Sequence, residues 1–253
     1  MSTLATSAAR LRPATPHPLY AQVRDLLLNR IRGGEWSAGE NLPNEFVLST
    51  DFDVSIGTVR RAVAELEANG VLVRKQGRGT YVSGRGAEAL QERFFALRAA
   101  DGQRFAATYE LVSLTRRAAT PAERAALRVA EQHGVVEIVQ RLDVGGSPVG
   151  LETSVLPVEQ FPRLDTQLRF GQHLYPVLAD YGFLITRVDD TIGIEPACAA
   201  TAAHLGCPTD APLLLVTRLA IALDGRPVEV RTSRYLPARV RYVGSASPPP
   251  VVV

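Results

Sequence analysis

The chain has 253 residues, enough for two domains, and 46% of them are apolar, so most of it is expected to fold around cores. A formal net charge of +2 excludes binding driven by a large overall positive charge, so any nucleic-acid contact must come from local basic clusters. No run of about eighteen apolar residues and no signal-peptide pattern is present, and we expect a cytoplasmic protein with no membrane partner.

A pair of helices is predicted after an N-terminal tail. Residues 1–15 are rich in Ala, Ser, Thr and Pro without periodicity, and we expect them to be disordered. A helix opens at Pro18-Leu19-Tyr20 and ends at Gly33-Gly34, with an apolar stripe at helical spacing. Asn44 is the predicted N-cap of a second helix that runs to about Phe52. The short gap that follows predicts a helix-turn-helix.

The next helix is predicted between Ser55 and Asn69-Gly70. The Ser55 hydroxyl can cap its first turn, and Val59, Val63 and Leu66 recur at helical spacing toward a core. The opposite face presents small or basic side chains, which are Ser55, Gly57, Thr58, Arg60 and Arg61. Such a helix end suits the DNA major groove, where small residues permit close approach.

A basic hairpin is predicted directly after this helix. Two short strands, Val71 to Arg74 and Thr80 to Val82, flank the turn Lys75-Gln76-Gly77-Arg78-Gly79, whose glycines tolerate positive φ. A helix followed by a basic hairpin is the layout of a winged helix. The alternative is an ordinary amphipathic helix with a surface hairpin whose charges are solvated.

Four motifs in order resemble the GntR family of bacterial winged-helix transcription regulators. They are Pro18-Leu19-Tyr20-x-Gln22-Val23, Gly39-x-x-Leu42-Pro43-x-Glu45, Val54-Ser55-x-x-Thr58-Val59-Arg60 and Gly77-Arg78-Gly79-Thr80-Tyr81-Val82, which place the DNA-binding domain at residues 16–83. The resemblance implies that the Ser55 helix reads the major groove and that the wing approaches the minor groove or backbone. The predicted DNA contacts are Asn44, Ser55, Gly57, Thr58, Arg60, Arg61, Lys75, Gln76, Gly77 and Arg78.

Two positions depart from that family. It often carries Arg where this chain has Phe46 and Ile56. Each missing Arg removes a possible bidentate base contact, which discriminates by about 1 to 3 kcal/mol. We therefore expect an operator unlike that of Arg-bearing relatives, with more weight on Arg60, Arg61 and the wing.

The second half of the chain reads as an α+β domain. After a linker at residues 84–90, six strands are predicted at Thr108–Leu114, Val135–Val144, Val149–Leu156, Ile185–Ile194, Leu213–Leu223 and Val228–Tyr235. Turns at Gly145-Gly146-Ser147-Pro148 and Asp224-Gly225-Arg226-Pro227 predict two hairpins. Helices are predicted at Pro121–Gln132, Leu174–Tyr181 and Pro196–Leu205. The sheet is expected to be mainly antiparallel.

This half resembles the UTRA ligand-binding domain, which places the chain in the HutC-like branch of the GntR family. The motifs are Arg141-Leu142-Asp143, Pro148-Val149-x-x-Glu152-Thr153-Ser154, Phe161-Pro162, Leu174-Tyr175, Tyr181-Gly182, Leu213-Leu214-x-Val216-x-Arg218 and Gly225-x-Pro227-Val228-Glu229. The resemblance implies a chorismate-lyase-like fold at residues 91–243, a homodimer and a small-molecule effector. A Pro-rich tail at 244–253 has no evident role.

The resemblance also implies an effector site. Its predicted residues are Thr108, Arg141, Asp143, Glu152, Ser154, Glu229 and Tyr235. Arg141 can hold a carboxylate or phosphate in a fork, while Glu152 and Glu229 can accept hydrogen bonds from hydroxyl or amine groups. Asp143 stands where phosphosugar-binding members carry a second Arg, so an unphosphorylated ligand is favoured. The alternative is a set of structural salt bridges on strand faces.

Cys198 and Cys207 lie on either side of His204 in an Ala-rich segment that is mostly predicted to be helical. Because structural zinc takes four ligands, we interpret them as free thiols and predict neither a metal nor a cofactor.

Together these patterns predict a regulator that is not an enzyme. We expect a homodimeric repressor that binds a palindromic operator in double-stranded DNA and responds to a small metabolite. One alternative is a bifunctional regulator whose C-terminal domain also turns over its ligand, although no nucleophile, base and orienting group can be identified. Another is a sequence-independent architectural DNA protein, which the balanced charge disfavours.

Overall fold

The computed structural model describes residues 18–37, 39–83, 96–168 and 173–243. The predicted tails at 1–15 and 244–253 and the predicted linker at 84–90 lie outside these residues. The chain divides into two compact units, Met1–Gly86 and Ala87–Val253.

The N-terminal unit is a winged helix-turn-helix, as predicted. Its elements are α1 (Leu19–Arg32), α2 (Glu45–Asp51), α3 (Ile56–Ala68), β1 (Leu72–Lys75) and β2 (Gly79–Val82). Side chains cap both helices of the helix-turn-helix, because Asn44 accepts from the Val47 N–H and Ser55 from the Thr58 N–H. Strands β1 and β2 pair antiparallel around the wing turn.

The C-terminal unit is α+β, which confirms the predicted class. Its elements are β3 (Leu97–Ala99), β4 (Thr108–Ala118), α4 (Pro121–Leu127), β5 (Gly134–Val144), β6 (Ser147–Pro157), a 3-10 turn (Val158–Gln160), α5 (Leu164–Gln167), α6 (Leu174–Asp180), β7 (Ile185–Pro196), α7 (Ala199–Leu205), β8 (Pro212–Ala222), β9 (Pro227–Tyr235) and β10 (Val240–Tyr242). Six strands form one antiparallel sheet in the order β4-β5-β6-β9-β8-β7.

The six-stranded sheet has two differently covered faces. On one, here called the α6 face, Ile138 and Leu156 share a buried cluster with α6. On the other, the α7 face, Leu151 and Leu213 share a buried cluster with α7. A second small sheet of β3 and β10 contributes Leu97 and Val240 to a cluster that also contains Leu142 and Tyr235.

Two predicted helices were too long. The helix predicted to reach Gln132 ends at Leu127, because Arg128 takes a left-handed conformation with φ 54°. The helix predicted from Pro196 begins at Ala199, because Pro196 is the last residue of β7. The pairing of β3 with β10 was not predicted, since it joins segments that are far apart in sequence.

Candidate functional site

The exposed side of α3 lies at its N-terminal end. The Ser55 Oγ accepts the Thr58 N–H at 3.2 Å, which starts the helix at Ile56. The residues that turn inward are Val59, Ala62, Val63 and Leu66. Gly57 and Arg60 are therefore left on the outer side, where they are exposed. This end of the helix is free to approach a partner.

One carboxylate holds two arginines beside this helix end. The Arg60 Nε donates to Glu45 Oε2 at 2.9 Å, and the Arg74 Nη2 donates to Glu45 Oε1 at 2.8 Å. Glu45 is the first residue of α2, where the helix dipole favours a negative charge. Exposed ion pairs contribute at most about 1 kcal/mol each, so both arginines can exchange Glu45 for another anion.

The wing is braced by its own side chains. Its turn uses Gly77 at φ 70° and Gly79 at φ 110°. A Cβ at Gly79 would also lie 2.7 Å from Asn41 Oδ1. Lys75 Nζ lies 4.3 Å from the centre of the Tyr81 ring, and the Tyr81 hydroxyl donates to the Arg78 carbonyl at 2.9 Å. These contacts favour this shape of the basic turn.

Five of the ten predicted DNA contacts border one groove. An open groove of about 810 Å³ is bordered by Asn44, Arg60, Lys75, Gln76 and Gly77. Ser55, Gly57 and Thr58 lie at the adjoining end of α3, and Arg78 is exposed on the wing. Arg61 points to the other side of α3, where its guanidinium lies 3.8 Å from the centre of the Tyr20 ring. These ten residues stay predicted contacts.

Sequence reasoning missed the roles of Glu45 and Arg74 in this groove. The signal was present, because Glu45 belongs to the Gly39-x-x-Leu42-Pro43-x-Glu45 motif. A negative charge at the start of α2 is already favourable for the helix dipole, so the presence of Glu45 there does not by itself indicate a partner. Its pairing with Arg74 joins residues 29 positions apart and requires the fold to be known.

The α6 face of the sheet carries a buried group of charged side chains. Ser154 pairs with Arg231 across β6 and β9, Arg231 with Arg218 across β9 and β8, and Arg218 with Asp190 across β8 and β7. Directly paired residues in an antiparallel sheet project from the same face. Glu229 lies two residues before Arg231 in β9 and shares that face.

The charged side chains of this face form two sets of ion pairs, one around Arg231 and one around Arg218. The Arg231 Nε donates to Glu229 Oε1 at 2.8 Å, and its Nη1 donates to Glu152 Oε2 at 3.2 Å. Arg218 forms a two-pronged pair with Asp190, with both distances 2.7 Å. We call Glu152, Asp190, Arg218, Glu229 and Arg231 the ion cluster. Its three carboxylates and two guanidiniums leave one excess negative charge.

A small cavity adjoins the ion cluster. It has a volume of about 20 Å³, and Glu152, Arg218 and Arg231 line it together with Tyr235. One water needs roughly 10 to 15 Å³ on this measure, so a larger ligand must displace side chains. Arg231 Nη2 and Glu229 Oε2 are buried without a hydrogen-bond partner. A buried unpaired polar atom costs about 1 to 3 kcal/mol. Arg231 lines the cavity, so a ligand that accepts from its Nη2 recovers this energy.

His173 and Tyr235 complete the polar lining. The His173 Nδ1 accepts the Tyr175 N–H at 3.1 Å, and burial followed by the charges of Arg231 and Arg218 lowers the pKa of His173 well below its ordinary value. Burial and Glu152 raise the pKa of Tyr235, so its hydroxyl stays protonated and donates to Glu152. The cavity therefore presents a neutral imidazole and a phenol.

The structure divides the predicted effector residues between the two faces of the sheet. Glu152 and Tyr235 line the cavity, and Ser154 donates to Glu229 at 2.6 Å beside it. Arg141 lies on the α7 face, because it pairs across the strands with Leu151, and Asp143 shares that face two residues on. Arg141 bonds Asp143 and Glu110 there. Thr108 is exposed and pairs with Asp143 in the sheet.

The side chains that sequence reasoning missed are Arg218, Arg231, His173 and Tyr175. Arg218 is the last residue of one of the UTRA motifs. Arg231 follows Glu229 by two residues in a predicted strand, and this spacing places both side chains on one face. His173 gave no signal, because it reaches the cavity from the start of α6.

Cys198 and Cys207 are free thiols, and Cys198 is the N-cap residue of α7. Within the described residues, no group of three or more His, Cys, Asp and Glu side chains is arranged to hold a metal ion.

Comparisons with known families match both units. Residues 19–82 match the family described as "Bacterial regulatory proteins, gntR family", and residues 102–241 match the UTRA domain. The chain is similar to the HTH-type transcriptional repressor PhnF of Mycolicibacterium smegmatis, at 30% identity over 90% of this chain and 93% of that protein. It is also similar to the "Probable fructoselysine utilization operon transcriptional repressor" of Escherichia coli K12, at 28% identity over 84% of this chain and 88% of that protein.

A solved structure supports the same comparison. The ligand-binding domain of a GntR-family transcriptional regulator from Bordetella bronchiseptica superposes with a TM-score of 0.56 at 25% identity, over 61% of this chain and 98% of that one. Among the helices in the described ranges, none has both the length and the apolar character needed to cross a membrane.

Proposed function

We propose, from the premise that the chain belongs to the GntR family of bacterial regulatory proteins and carries a C-terminal UTRA domain, that it represses transcription until a small metabolite binds. Membership makes it a DNA-binding transcription regulator. Repression is supported by the names of the two relatives, one a transcriptional repressor and the other a probable one. The main observation in its support is the groove of the N-terminal unit, which is bordered by Arg60 of α3 and by residues of the wing. Cytoplasmic action and the absence of ligand turnover are part of the proposal.

The active form in this proposal is a homodimer on a palindromic operator. Among the described strands, β7 is an edge strand that pairs only with β8. Ile192 and Ile194 are exposed on it and project from the same face. Exposed apolar side chains on a sheet edge favour association with another chain, and a twofold pair of α3 helices requires a twofold operator.

Two matched variants test the dimer. We expect the full-length protein to sediment as a dimer at micromolar concentration and Ile194→Glu to sediment as a monomer. Leu111→Glu is the control, because Leu111 is an exposed apolar residue on β4 at the opposite edge of the sheet. A dimer that survives Ile194→Glu and dissociates with Leu111→Glu would move the interface to β4.

Operator binding is tested by selecting duplexes from a random pool with the full-length protein. We expect a palindrome whose half-site centres lie about one helical turn, or about 34 to 36 Å, apart. Retained duplexes without any shared sequence would contradict the proposal.

The proposed effector is a small unphosphorylated metabolite bound on the α6 face of the sheet. The ion cluster already carries one excess negative charge, so a phosphate dianion would meet repulsion in a buried setting. A single carboxylate or carbonyl oxygen could instead accept from Arg231 Nη2. Of the predicted effector residues, this proposal keeps Glu152, Ser154, Glu229 and Tyr235.

Thermal-shift screening of metabolites would find the ligand, since a compound at a hundred times its dissociation constant stabilises by about 2.7 kcal/mol. Two nearly isosteric substitutions then locate its site. We expect Glu152→Gln to reduce the ability of the ligand to release the protein from DNA. Asp143→Asn should leave that ability unchanged. The opposite result would place the effector on the α7 face with Arg141, Asp143 and Thr108.

A further inference from the structure

Two large apolar side chains stand exposed in the groove between α2, α3 and the wing. Phe46 is 67% exposed and Ile56 is 40% exposed. Each lies in the first turn of its helix, and both border the groove that also contains Arg60 and Lys75. Single exposed apolar residues are common on protein surfaces, but two that border one groove are consistent with a specific partner.

The charges around these two residues identify the class of that partner. Arg60, Arg74 and Lys75 border the groove, and Glu45 is the acidic residue among those that border it. The groove is therefore net positive, which favours a polyanion over an apolar protein surface. Phe46 and Ile56 have no side-chain donor for a phosphate or a guanine. The apolar feature that DNA displays in its major groove is the 5-methyl group of thymine.

Gly57 supplies independent support. A Cβ on Gly57 would meet only the Ser55 Oγ, at 3.8 Å, which is ordinary contact distance. Packing within the chain therefore does not require a glycine here. A missing side chain next to Ile56 does allow a base edge to approach the start of α3 closely.

We propose that Phe46 and Ile56 read thymine by contacting its 5-methyl group within each half-site, beside the polar contacts of Arg60. This inference rests on the proposed function, because it needs α3 to enter the major groove. Phe46 and Ile56 set which base is accepted at their positions, and the surrounding cations hold the DNA backbone.

Deoxyuridine substitution tests the contact, because it removes only the methyl group from thymine. Each thymine of the selected half-site is replaced in turn, and the affinity of the full-length protein is measured by fluorescence anisotropy. At least two replacements are expected to weaken binding about three- to tenfold, the range for loss of one buried methyl. In Phe46→Ala and Ile56→Ala, one of these sensitivities should disappear from each variant.

Val47→Ala is the matched control. Val47 is an exposed apolar residue in the same turn as Phe46, but it does not border the groove. This variant should keep the full sensitivity to deoxyuridine, and thermal unfolding of all three variants should match the unsubstituted protein.

The inference and the proposed function fail in different ways. A selected operator that tolerates deoxyuridine at every position overturns the inference and leaves operator binding intact. Sensitivities that persist in both alanine variants also overturn it, because another residue then reads the methyl groups. Alanine variants that keep full DNA discrimination but lose self-association assign Phe46 and Ile56 to a protein contact. A pool without sequence preference overturns both proposals.

Discussion

Arg60 in the N-terminal unit and Arg231 in the C-terminal unit both pair with glutamates, but water reaches only one of them freely. The Arg60 side chain is 64% exposed, whereas that of Arg231 is 5% exposed. An exposed pair is nearly neutral in energy and can be replaced by a partner's charge. A buried pair is expensive to disrupt, so a ligand there must supply equivalent hydrogen bonds. The first unit is thus suited to exchange its contacts and the second to detect a change in them.

The largest expected effect comes from removing the buried guanidinium. Arg231→Met leaves Glu152 and Glu229 as buried carboxylates without their cation, and we expect the C-terminal unit to lose about 3 to 5 kcal/mol. Urea unfolding followed by far-UV circular dichroism measures this loss. Trp36, the single tryptophan, lies in the other unit. The urea concentration at the midpoint of the transition in its fluorescence should therefore stay unchanged.

Arg187→Met is the control for that substitution. Arg187 pairs with Asp189 on the surface of β7, so its loss should cost less than about 1 kcal/mol. Equal losses from Arg231→Met and Arg187→Met would mean that burial does not distinguish the two ion pairs.

The next largest effect concerns DNA affinity. Arg60→Ala should weaken binding to the selected operator by about 1 to 3 kcal/mol if Arg60 contacts a base. Stability should change by less than about 0.5 kcal/mol, because the side chain is exposed. Anisotropy titrations on operator and scrambled duplex separate the possible roles. An equal loss on both would assign Arg60 to the phosphate backbone, and no loss on either would remove it from the interface.

The helix caps allow a comparison of equal chemistry in the two units. Ser55→Ala removes the acceptor for the Thr58 N–H, and Thr120→Ala removes the corresponding acceptor for the Glu123 N–H at the start of α4. Each should cost about 1 kcal/mol. Ser55→Ala should lower the urea midpoint of the transition followed by Trp36 fluorescence. Thr120→Ala should lower only the urea midpoint for the C-terminal unit. A shift of both transitions by one variant would show that the units unfold together.

The smallest effect at neutral pH involves His173. Burial and the nearby Arg231 and Arg218 lower its pKa below the ordinary 6.5, so the unfolded chain binds a proton that the folded chain does not. Stability from this group is therefore present above pH 6.5 and is lost as pH falls below it. Urea unfolding between pH 7.5 and 5 measures the slope. His173→Asn, which can still cap α6, should have a shallower slope, and an unchanged slope would remove His173 as its source.

Local signals predicted most of the elements. Ser55, Asn69 and Gly70 defined α3, and the pairs Gly145-Gly146 and Asp224-Gly225 defined two hairpins, because caps and turns depend on adjacent residues. The exposed arginines of α3 were predicted from the helical spacing of its apolar residues, which is also a local pattern. The pairing of Glu45 with Arg60 and Arg74 was not predicted, because it joins residues from separate elements.

The ion cluster could not be predicted in the same way. Arg231 meets Glu152 across 79 residues, and the contact depends on the register of β6 against β9. The placement of Arg141 on the α7 face could not be predicted either. Successive residues of a strand project from opposite faces of the sheet, but the sequence does not indicate which face borders the cavity. Buried charge gives no apolar pattern from which its location could be inferred.

Glu45 also has a consequence for ionic strength. Together with Arg60 and Arg74 it offers a net charge of +1 to a duplex. The number of counterions released from DNA follows the number of phosphates that lysines and arginines of the protein neutralise. An arginine that stays paired with Glu45 neutralises no phosphate. The fall of log affinity with log salt should therefore gain about 0.9 from this group if one arginine leaves Glu45 for a phosphate, and about 1.8 if both do. Salt concentration is then a weak control on this part of the contact, and most of its selectivity must come from the shape and chemistry of the base edges.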